Sequence, residues 1–394
     1  MVLYGLGTTV GAGIYALVGE LAAVAGYLAP ASFLLASIMA ILIGMAFAEL
    51  SARFPRAAGE AVYVENGFSS TSLATVIGLA VAFAGVVSAA ALVNGFVGYF
   101  HEFFVVDRVL IIIVITSVLF VIAVWGIAES VTIAALITVI EIGGLILVII
   151  VSRDAFTQLP EQWPQFIPSF STADGGVLFA GAILAFYAFI GFEDMVNVAE
   201  EVKNVRRNLP LAILLTLGIT TVLYLVIMTV TVLGLPMETL VKSEAPLALL
   251  YEHYTGKNAV LISVIGLFAI INGALIQIIM ASRVLYGLSS NNQLPSFLSR
   301  VNQRTRTPVY ATLIASIIVM ILALLGSLAT LAEATSLILL TVFSIVSLAL
   351  WRIKSRDPSP EGIIVFPAWV SLIAFMASSA FVLVKGIQFI SDII

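Results

Sequence analysis

The hydrophobic pattern of this chain consists of long apolar runs separated by short polar segments. A run of about 20 apolar residues is long enough to cross a lipid bilayer as a helix. Such runs lie near residues 2–25, 30–51, 72–99, 109–127, 131–151, 177–199, 209–234, 258–289, 308–326, 330–351 and 365–386. We therefore predict an all-α polytopic membrane protein with about eleven transmembrane helices.

Composition and charge placement agree with this pattern. Of 394 residues, 61% are hydrophobic and 10% are charged, whereas a soluble domain has about 25% charged residues. Lys and Arg concentrate in the cytoplasmic loops of membrane proteins. With the N-terminus in the cytoplasm, 12 of the 17 Lys and Arg residues face inward and 5 face outward. We therefore predict a multi-pass protein of the cell membrane with a cytoplasmic N-terminus.

The reactive side chains exclude several function classes. The chain has no cysteine and only two histidines, His101 and His253, which are far apart in sequence. An enzyme of the usual kinds needs a nucleophile–base pair or a metal cluster, so we predict no catalytic residue, metal or cofactor. The short basic segments "EEVKNVRRNLP" and "RVNQRTRTP" are interpreted as topology anchors rather than nucleic-acid sites. A receptor is a remote alternative, because no soluble signalling domain is evident.

Loop lengths predict an inverted repeat. Five spans precede the Pro-rich segment 153–176 and five more lie between it and residue 351, so the second set must be inserted with opposite orientation. The predicted organisation is a first repeat over 1–152, an external loop over 153–176, an inverted repeat over 177–351, and a cytoplasmic loop with one further helix over 352–394. Long loops between spans two and three and between spans seven and eight occupy matching places. Chance placement of these loops stays open.

Glycines interrupt the first helix of each predicted repeat. "GLGTTVGAGIYALVGE" has four glycines within nine residues, and "YAFIGFED" has Gly191 followed by two acids. Paired interrupted helices in matching positions indicate the central binding site of a transporter. An unwound segment offers amides to a carboxylate and carbonyls to an ammonium group. The alternative is that Gly7-x-x-x-Gly11 serves only for helix packing.

Acids at membrane depth are candidates for proton coupling. Glu141 lies at the centre of the fifth span, and Glu193 lies just past Gly191. A buried carboxyl can carry a proton, although a protonated acid that only packs is the alternative. Asn272 and Gly273 stand in span eight, where a sodium site uses paired hydroxyls, and this favours protons over sodium. Glu49 and Glu333 lie near span ends, where interfacial water can reach them.

The segments "GTTVGAGIYALVG", "AELSARFPRAAGEAVYV", "FYAFIGFEDMVNVAEEVKNVRRNLP" and "NGALIQIIMASRVLYGLSSNNQLP" resemble signature segments of amino acid permeases. These permeases belong to the amino acid–polyamine–organocation superfamily, and the resemblance is closest to bacterial and archaeal relatives of the cationic amino acid transporters. It implies a leucine-transporter-type 5+5 inverted repeat with discontinuous helices 1 and 6.

The same resemblance implies roles for individual residues. The substrate carboxylate would meet the backbone around Gly11, Ala12 and Gly13. The ammonium group of the substrate would meet carbonyls near Thr9, Tyr187 and Ile190. Glu193 matches a proposed proton sensor, and Glu141 stands where a proton-coupled relative has a lysine.

The predicted function is therefore secondary active transport of an amino acid by alternating access, with protons as the coupling ion. An amino acid/amine exchanger is the alternative that the sequence does not separate from a symporter. The expected partners are an amino acid, protons and the lipid bilayer, and the oligomeric state is left open.

Overall fold

The computed structural model describes residues 1–55, 59–125, 131–169 and 171–393, apart from the side chains of 12, 131–134, 172, 201 and 389–393. The described part is helical and contains no strand. Long apolar helices account for most of it, as expected where lipid cannot pair with free backbone groups and each helix must pair its own.

The first half of the described chain, before the connecting loop, contains seven helices. These helices are α1 (Val2–Ala25), α2 (Ala29–Arg53), α3 (Gly59–Phe68), α4 (Thr71–His101), α5 (Arg108–Trp125), α6 (Val131–Val151) and α7 (Leu159–Phe166). Short 3-10 segments join α1 to α2 and α6 to α7.

The second half begins with a helix that stops early. Its helices are α8 (Thr172–Tyr187), α9 (Val205–Gly234), α10 (Met237–Lys242), α11 (Pro246–Thr255), α12 (Val260–Ser290), α13 (Val309–Leu325), α14 (Leu328–Arg356) and α15 (Ala368–Ile393). A 3-10 segment over Glu193–Glu201 follows α8 after a five-residue interruption.

Each predicted span overlaps a helix of the structure, and the span over 177–199 also contains the interruption after α8. By length and composition, the described residues contain seven helices able to cross a membrane, or eight if a pair bent by 52° counts as one span. One of the seven is the continuous stretch Val2–Arg53, which contains α1 and α2, while α13 is a shorter apolar helix. The polytopic all-α class is thus confirmed, whereas the count of eleven and the inverted repeat stay predictions.

The predicted break in the first helix is wrong for this conformation. Helix α1 runs without interruption from Val2 to Ala25. A glycine in a helix costs about 1 kcal/mol relative to alanine, and here the missing side chains allow close packing. A β-carbon on Gly11 would lie 2.9 Å from Glu141 Oε2, and one on Gly13 would lie 2.9 Å from Ala188 Cα. The packing alternative therefore explains these glycines.

Glu49 also differs from its expectation, because it is fully buried rather than open to interfacial water. Lys354 Nζ lies 2.6 Å from both carboxylate oxygens, and Arg53 Nη2 donates to Oε1 at 2.7 Å. The backbone N–H of Phe366 donates to Oε2 at 2.9 Å. This Glu49 network joins α2, α14 and the segment that precedes α15.

Candidate functional site

The interruption after α8 lies against α1 and is held to it by polar contacts. Gly191 has a φ of 119°, a backbone conformation that favours glycine. The Thr8 hydroxyl on α1 lies 2.9 Å from Gly191 O and 3.0 Å from Gly5 O of its own helix, so its proton is shared between them. The predicted break in the sixth span is therefore present, and it contacts the helix that opens the chain.

Tyr224 on α9 connects the same two elements from the other side. Its hydroxyl lies 2.8 Å from Thr9 O and 2.9 Å from Ala188 O. The ring is fully buried and packs edge-on against Phe189. One phenol hydroxyl thus lies within hydrogen-bond distance of carbonyls in both α1 and the interruption, and it fixes the spacing between these two elements.

A narrow cavity lies where α1, α4, the interruption and α12 meet. Its volume is about 20 Å³, which is room for about one water molecule. The cavity is lined by Thr8, Thr9, Gly13, Ser88, Leu92, Tyr187, Ile190, Gly273, Ile276 and Gln277. None of these lining residues is charged, so the polar groups on offer are hydroxyls, one amide and the backbone.

The hydroxyl groups of Tyr187 and Thr9, which both line the cavity, differ in their hydrogen bonding. Tyr187 donates its hydroxyl proton to Ser88 O at 3.1 Å, and its oxygen lies 3.1 Å from Ser88 Oγ, which can donate in return. The Oγ1 atom of Thr9 is buried and finds no hydrogen-bond partner among the described residues. A buried hydroxyl without a partner costs free energy, and a polar group entering the cavity would satisfy it.

The structure brings together some of the residues that the sequence predicted. Thr9, Gly13, Tyr187 and Ile190 line the cavity, whereas Gly11 faces α6. Ala12 lies in α1, and its side chain is outside the described part.

The two predicted coupling acids lie beside the cavity rather than on its wall. Glu193 is buried, and its Oε2 accepts a hydrogen bond from the backbone N–H of Gly191 at 2.8 Å. Glu141 on α6 is also buried, and it lies against Gly11 on the opposite side of α1. The backbone oxygen of Glu141 accepts from the Tyr15 hydroxyl at 2.7 Å. Glu141 therefore contacts α1, and Glu193 contacts the interruption that lies beside α1.

Sequence reasoning noted Gly273 but missed Thr8, Ser88 and Tyr224. Ser88 lies in the small-residue run "AGVVSAAALVNG", and one hydroxyl in such a run is a usable signal. Tyr224 stands in an ordinary apolar stretch, and no sequence pattern distinguishes it from a packing residue.

Sequence comparison supplies the family. The sequence pattern described as "Amino acid permease" matches residues 2–391. The chain belongs to the amino acid permease family. Family and relatives are transporters rather than enzymes, as predicted from the absence of reactive clusters.

Curated relatives of the permease carry different printed names. It is 28% identical to "Cationic amino acid transporter 4, vacuolar" of Arabidopsis thaliana, over 92% of this chain and 63% of that protein. It is 26% identical to a branched-chain amino acid permease of Bacillus subtilis, over 91% of this chain and 80% of the relative. A methylthioribose transporter of the same bacterium is 26% identical over the same shares. The chain thus spans about three fifths of the plant transporter's length.

Proposed function

We propose that this chain carries amino acids across the cell membrane by alternating access as a secondary transporter, with protons as the coupling ion. One observation carries the proposal: the interruption at Gly191 meets α1 at a cavity lined by hydroxyls and backbone. Membership of the amino acid permease family supports the substrate class. The cytoplasmic N-terminus and the inverted repeat form part of the same proposal.

The uncharged cavity suits a zwitterion. Helix α8 ends at Tyr187, and carbonyls at a helix C-terminus attract an ammonium group. Thr9 Oγ1 and the side chain of Gln277 add hydroxyl and amide groups. The proposed contacts of Thr9, Gly13, Tyr187 and Ile190 with the substrate follow from this arrangement. Those of Gly11 and Ala12 require that α1 opens.

The small volume of the cavity means that the helices around it have to move before a substrate can bind. A cavity of about 20 Å³ has no room for an amino acid, so binding needs α1 and the interruption to separate from α4 and α12. Helix movement around a central site is what alternating access requires. We therefore assign the structure to a closed conformation of the transport cycle.

The test is uptake of labelled solutes into proteoliposomes that contain the full chain. The panel combines cationic, branched-chain and small neutral amino acids with methylthioribose. Each solute is assayed with a proton gradient, with a sodium gradient and with internal substrate. Accumulation driven by protons supports the proposal. Uptake that needs internal substrate identifies an exchanger, and transport of methylthioribose alone overturns the substrate class.

Replacement of Tyr187 by phenylalanine is expected to raise the KM for uptake about fivefold and to change the maximal rate little. The hydroxyl that holds the ring to Ser88 is lost, and a lost hydrogen bond costs about 1 kcal/mol. Initial rates over a range of substrate concentrations check this result. Tyr310→Phe, at an exposed tyrosine on α13, is the control. An unchanged KM would remove Tyr187 from the proposed site.

Replacement of Glu141 by glutamine is expected to abolish proton-driven accumulation, because the amide cannot carry a proton while it keeps the shape of the buried side chain. Accumulation against a gradient and proton influx, followed with a pH-sensitive dye, are the measurements. Glu238→Gln, at an exposed residue of α10, is the control. Accumulation at the rate of the unchanged protein would exclude Glu141 as a carrier.

A further inference from the structure

Two further buried acids, Glu60 and Asp194, lie near Glu193 beside the interruption. Helix α3 begins against the 3-10 segment that follows Gly191, where a β-carbon on Gly59 would lie 2.3 Å from Val196 Cγ2. This contact places Glu60 of α3 within electrostatic range of Asp194 and Glu193. Each of the three carboxyl side chains belongs to a residue that is only 5% exposed.

The surroundings of this carboxyl cluster (Glu60, Glu193 and Asp194) leave two buried polar atoms unsatisfied. Asp194 Oδ2 has no hydrogen-bond partner within the described chain. The hydroxyl of Tyr63, one turn along α3 and fully buried, also lacks one there. Tyr63 interacts electrostatically with Glu60. A phenol and a carboxylate oxygen, both unsatisfied within the described chain and both on residues that interact electrostatically with Glu60, indicate a place for a small polar ligand such as a proton or a water that carries one.

Within the part of the chain that the structure describes, no Lys or Arg forms an ion pair with the carboxyl cluster. Among the described residues, no Lys or Arg contributes to the electrostatics of Glu60, Glu193 or Asp194. Arg352 of α14 lies over the Phe68 ring, at the far end of α3. On α2, Glu49 is engaged by Lys354. The neighbouring acid Glu65 is exposed and accepts from Thr71 of α4.

Three negative charges cannot coexist in this setting. Repulsion between like charges grows as water is excluded, and two carboxylates that share a buried site bind a proton between them. Burial, with the Asp194 charge as a further cause, raises the pKa of Glu60 to about 7. Glu60 lies in the loop that we place in the cytoplasm.

The carboxyl cluster is connected to the cavity through the backbone of the interruption. Glu193 accepts from Gly191 N, and Gly191 O lies within hydrogen-bond distance of Thr8. Loss of a proton from the cluster changes the charge next to these contacts. Movement of α1 away from the interruption would therefore respond to the protonation of the cluster.

We propose that Glu60, Asp194 and Glu193 form a shared proton-binding site on the cytoplasmic side of the interruption, with Glu60 as the residue that exchanges the proton with the cytoplasm. This inference rests on the proposed proton-coupled transport and adds, to Glu141, a second place where a proton is held during transport. Glu60 and Asp194 act through Glu193 and Gly191, so they are positioning residues for the transport step.

The experiment compares Glu60→Gln with Glu65→Gln on the same helix in proteoliposomes. We expect Glu60→Gln to reduce proton-driven accumulation at least tenfold and to remove the change in uptake rate near pH 7. Counterflow with equal internal and external pH is expected to fall by a much smaller factor. Glu65→Gln is expected to match the unchanged protein in all three assays. A Glu60→Gln protein with the ordinary pH profile would overturn the proposal, as would an equal loss of counterflow and accumulation.

A readout without transport separates this inference from the proposed function. Infrared spectroscopy detects the C=O stretch of a protonated carboxyl, and the unchanged protein should lose such a band as the pH rises through about 7. Glu60→Gln should remove that titration, and Asp194→Asn should move it to lower pH because the nearby negative charge is gone. If the titration is present but no proton-driven uptake occurs, the result supports the proton-binding site and contradicts the proposed coupling of transport to protons. A titration that Glu60→Gln leaves unchanged refutes the site.

The pH dependence of thermal stability gives a further test of the proton-binding role of Glu60. A carboxyl whose folded-state pKa exceeds the ordinary value of 4.5 stabilises the fold at low pH, and this contribution is lost as the pH rises through the folded-state pKa. The Tm of the unchanged protein should therefore fall more steeply between about pH 5 and pH 8 than the Tm of Glu60→Gln. Equal slopes would contradict the assignment.

Discussion

Replacement of Gly191 by alanine is expected to reduce transport at least tenfold. An alanine β-carbon there would lie 2.1 Å from Thr8 O and 2.6 Å from the Thr8 carbonyl carbon. Both atoms belong to backbone, so no side chain can turn away to make room. The φ of 119° adds a cost of about 1–3 kcal/mol for a residue with a side chain. Initial uptake rates in proteoliposomes measure the effect.

The matched control for Gly191→Ala is Gly176→Ala in the first turns of α8. A β-carbon at Gly176 meets nothing within 4 Å, so this variant is expected to keep the ordinary rate. The Tm of both variants shows whether lost transport reflects unfolding. Uptake by Gly191→Ala at a rate close to that of the control would mean that the contact between α1 and the interruption is dispensable.

Replacement of Glu49 by leucine is expected to destabilise the fold by about 3–5 kcal/mol. The change leaves the side chains of Lys354 and Arg53, which are 5% and 4% exposed, without their buried carboxylate. The Phe366 N–H also loses its acceptor. Denaturation of the purified protein, followed by near-ultraviolet circular dichroism, measures the loss.

A double substitution and a second ion pair serve as controls for Glu49→Leu. Glu49→Leu combined with Lys354→Met removes one stranded cation and should recover part of the stability. Glu333 and Lys385 form an ion pair in which both side chains are 28% exposed, so Glu333→Leu should cost about 1 kcal/mol or less. A Glu49→Leu protein that is no less stable than Glu333→Leu would show that the network contributes little.

The sequence predicts the helices well because lipid imposes one rule on every span. Each apolar run must pair its own backbone groups, and no knowledge of its neighbours is needed to place it. The interruption at Gly191 is predicted for a related reason, since two acids follow one residue after a glycine within an apolar run. The glycines of α1 show the limit of this reasoning. Their pattern is compatible with a break or with close packing, and only the positions of Glu141 and Ala188 decide between them.

The candidate site is predicted less completely because tertiary contacts create it. Ser88 meets Tyr187 across 99 residues of sequence, and Glu49 meets Lys354 across 305. Glu49 has the same sequence setting as Glu333, near the end of a span. The difference in their burial follows from which helices pack against them, and no local pattern encodes that packing.

The narrow cavity has a consequence for affinity. If the closed conformation is the more populated one, the dissociation constant that an experiment reports is the intrinsic constant divided by the open fraction. Each 1.4 kcal/mol in favour of closure then weakens apparent binding about tenfold. Residues that never touch a substrate, such as Tyr224 with its bonds to both Thr9 and Ala188, therefore set affinity through the population of the open form.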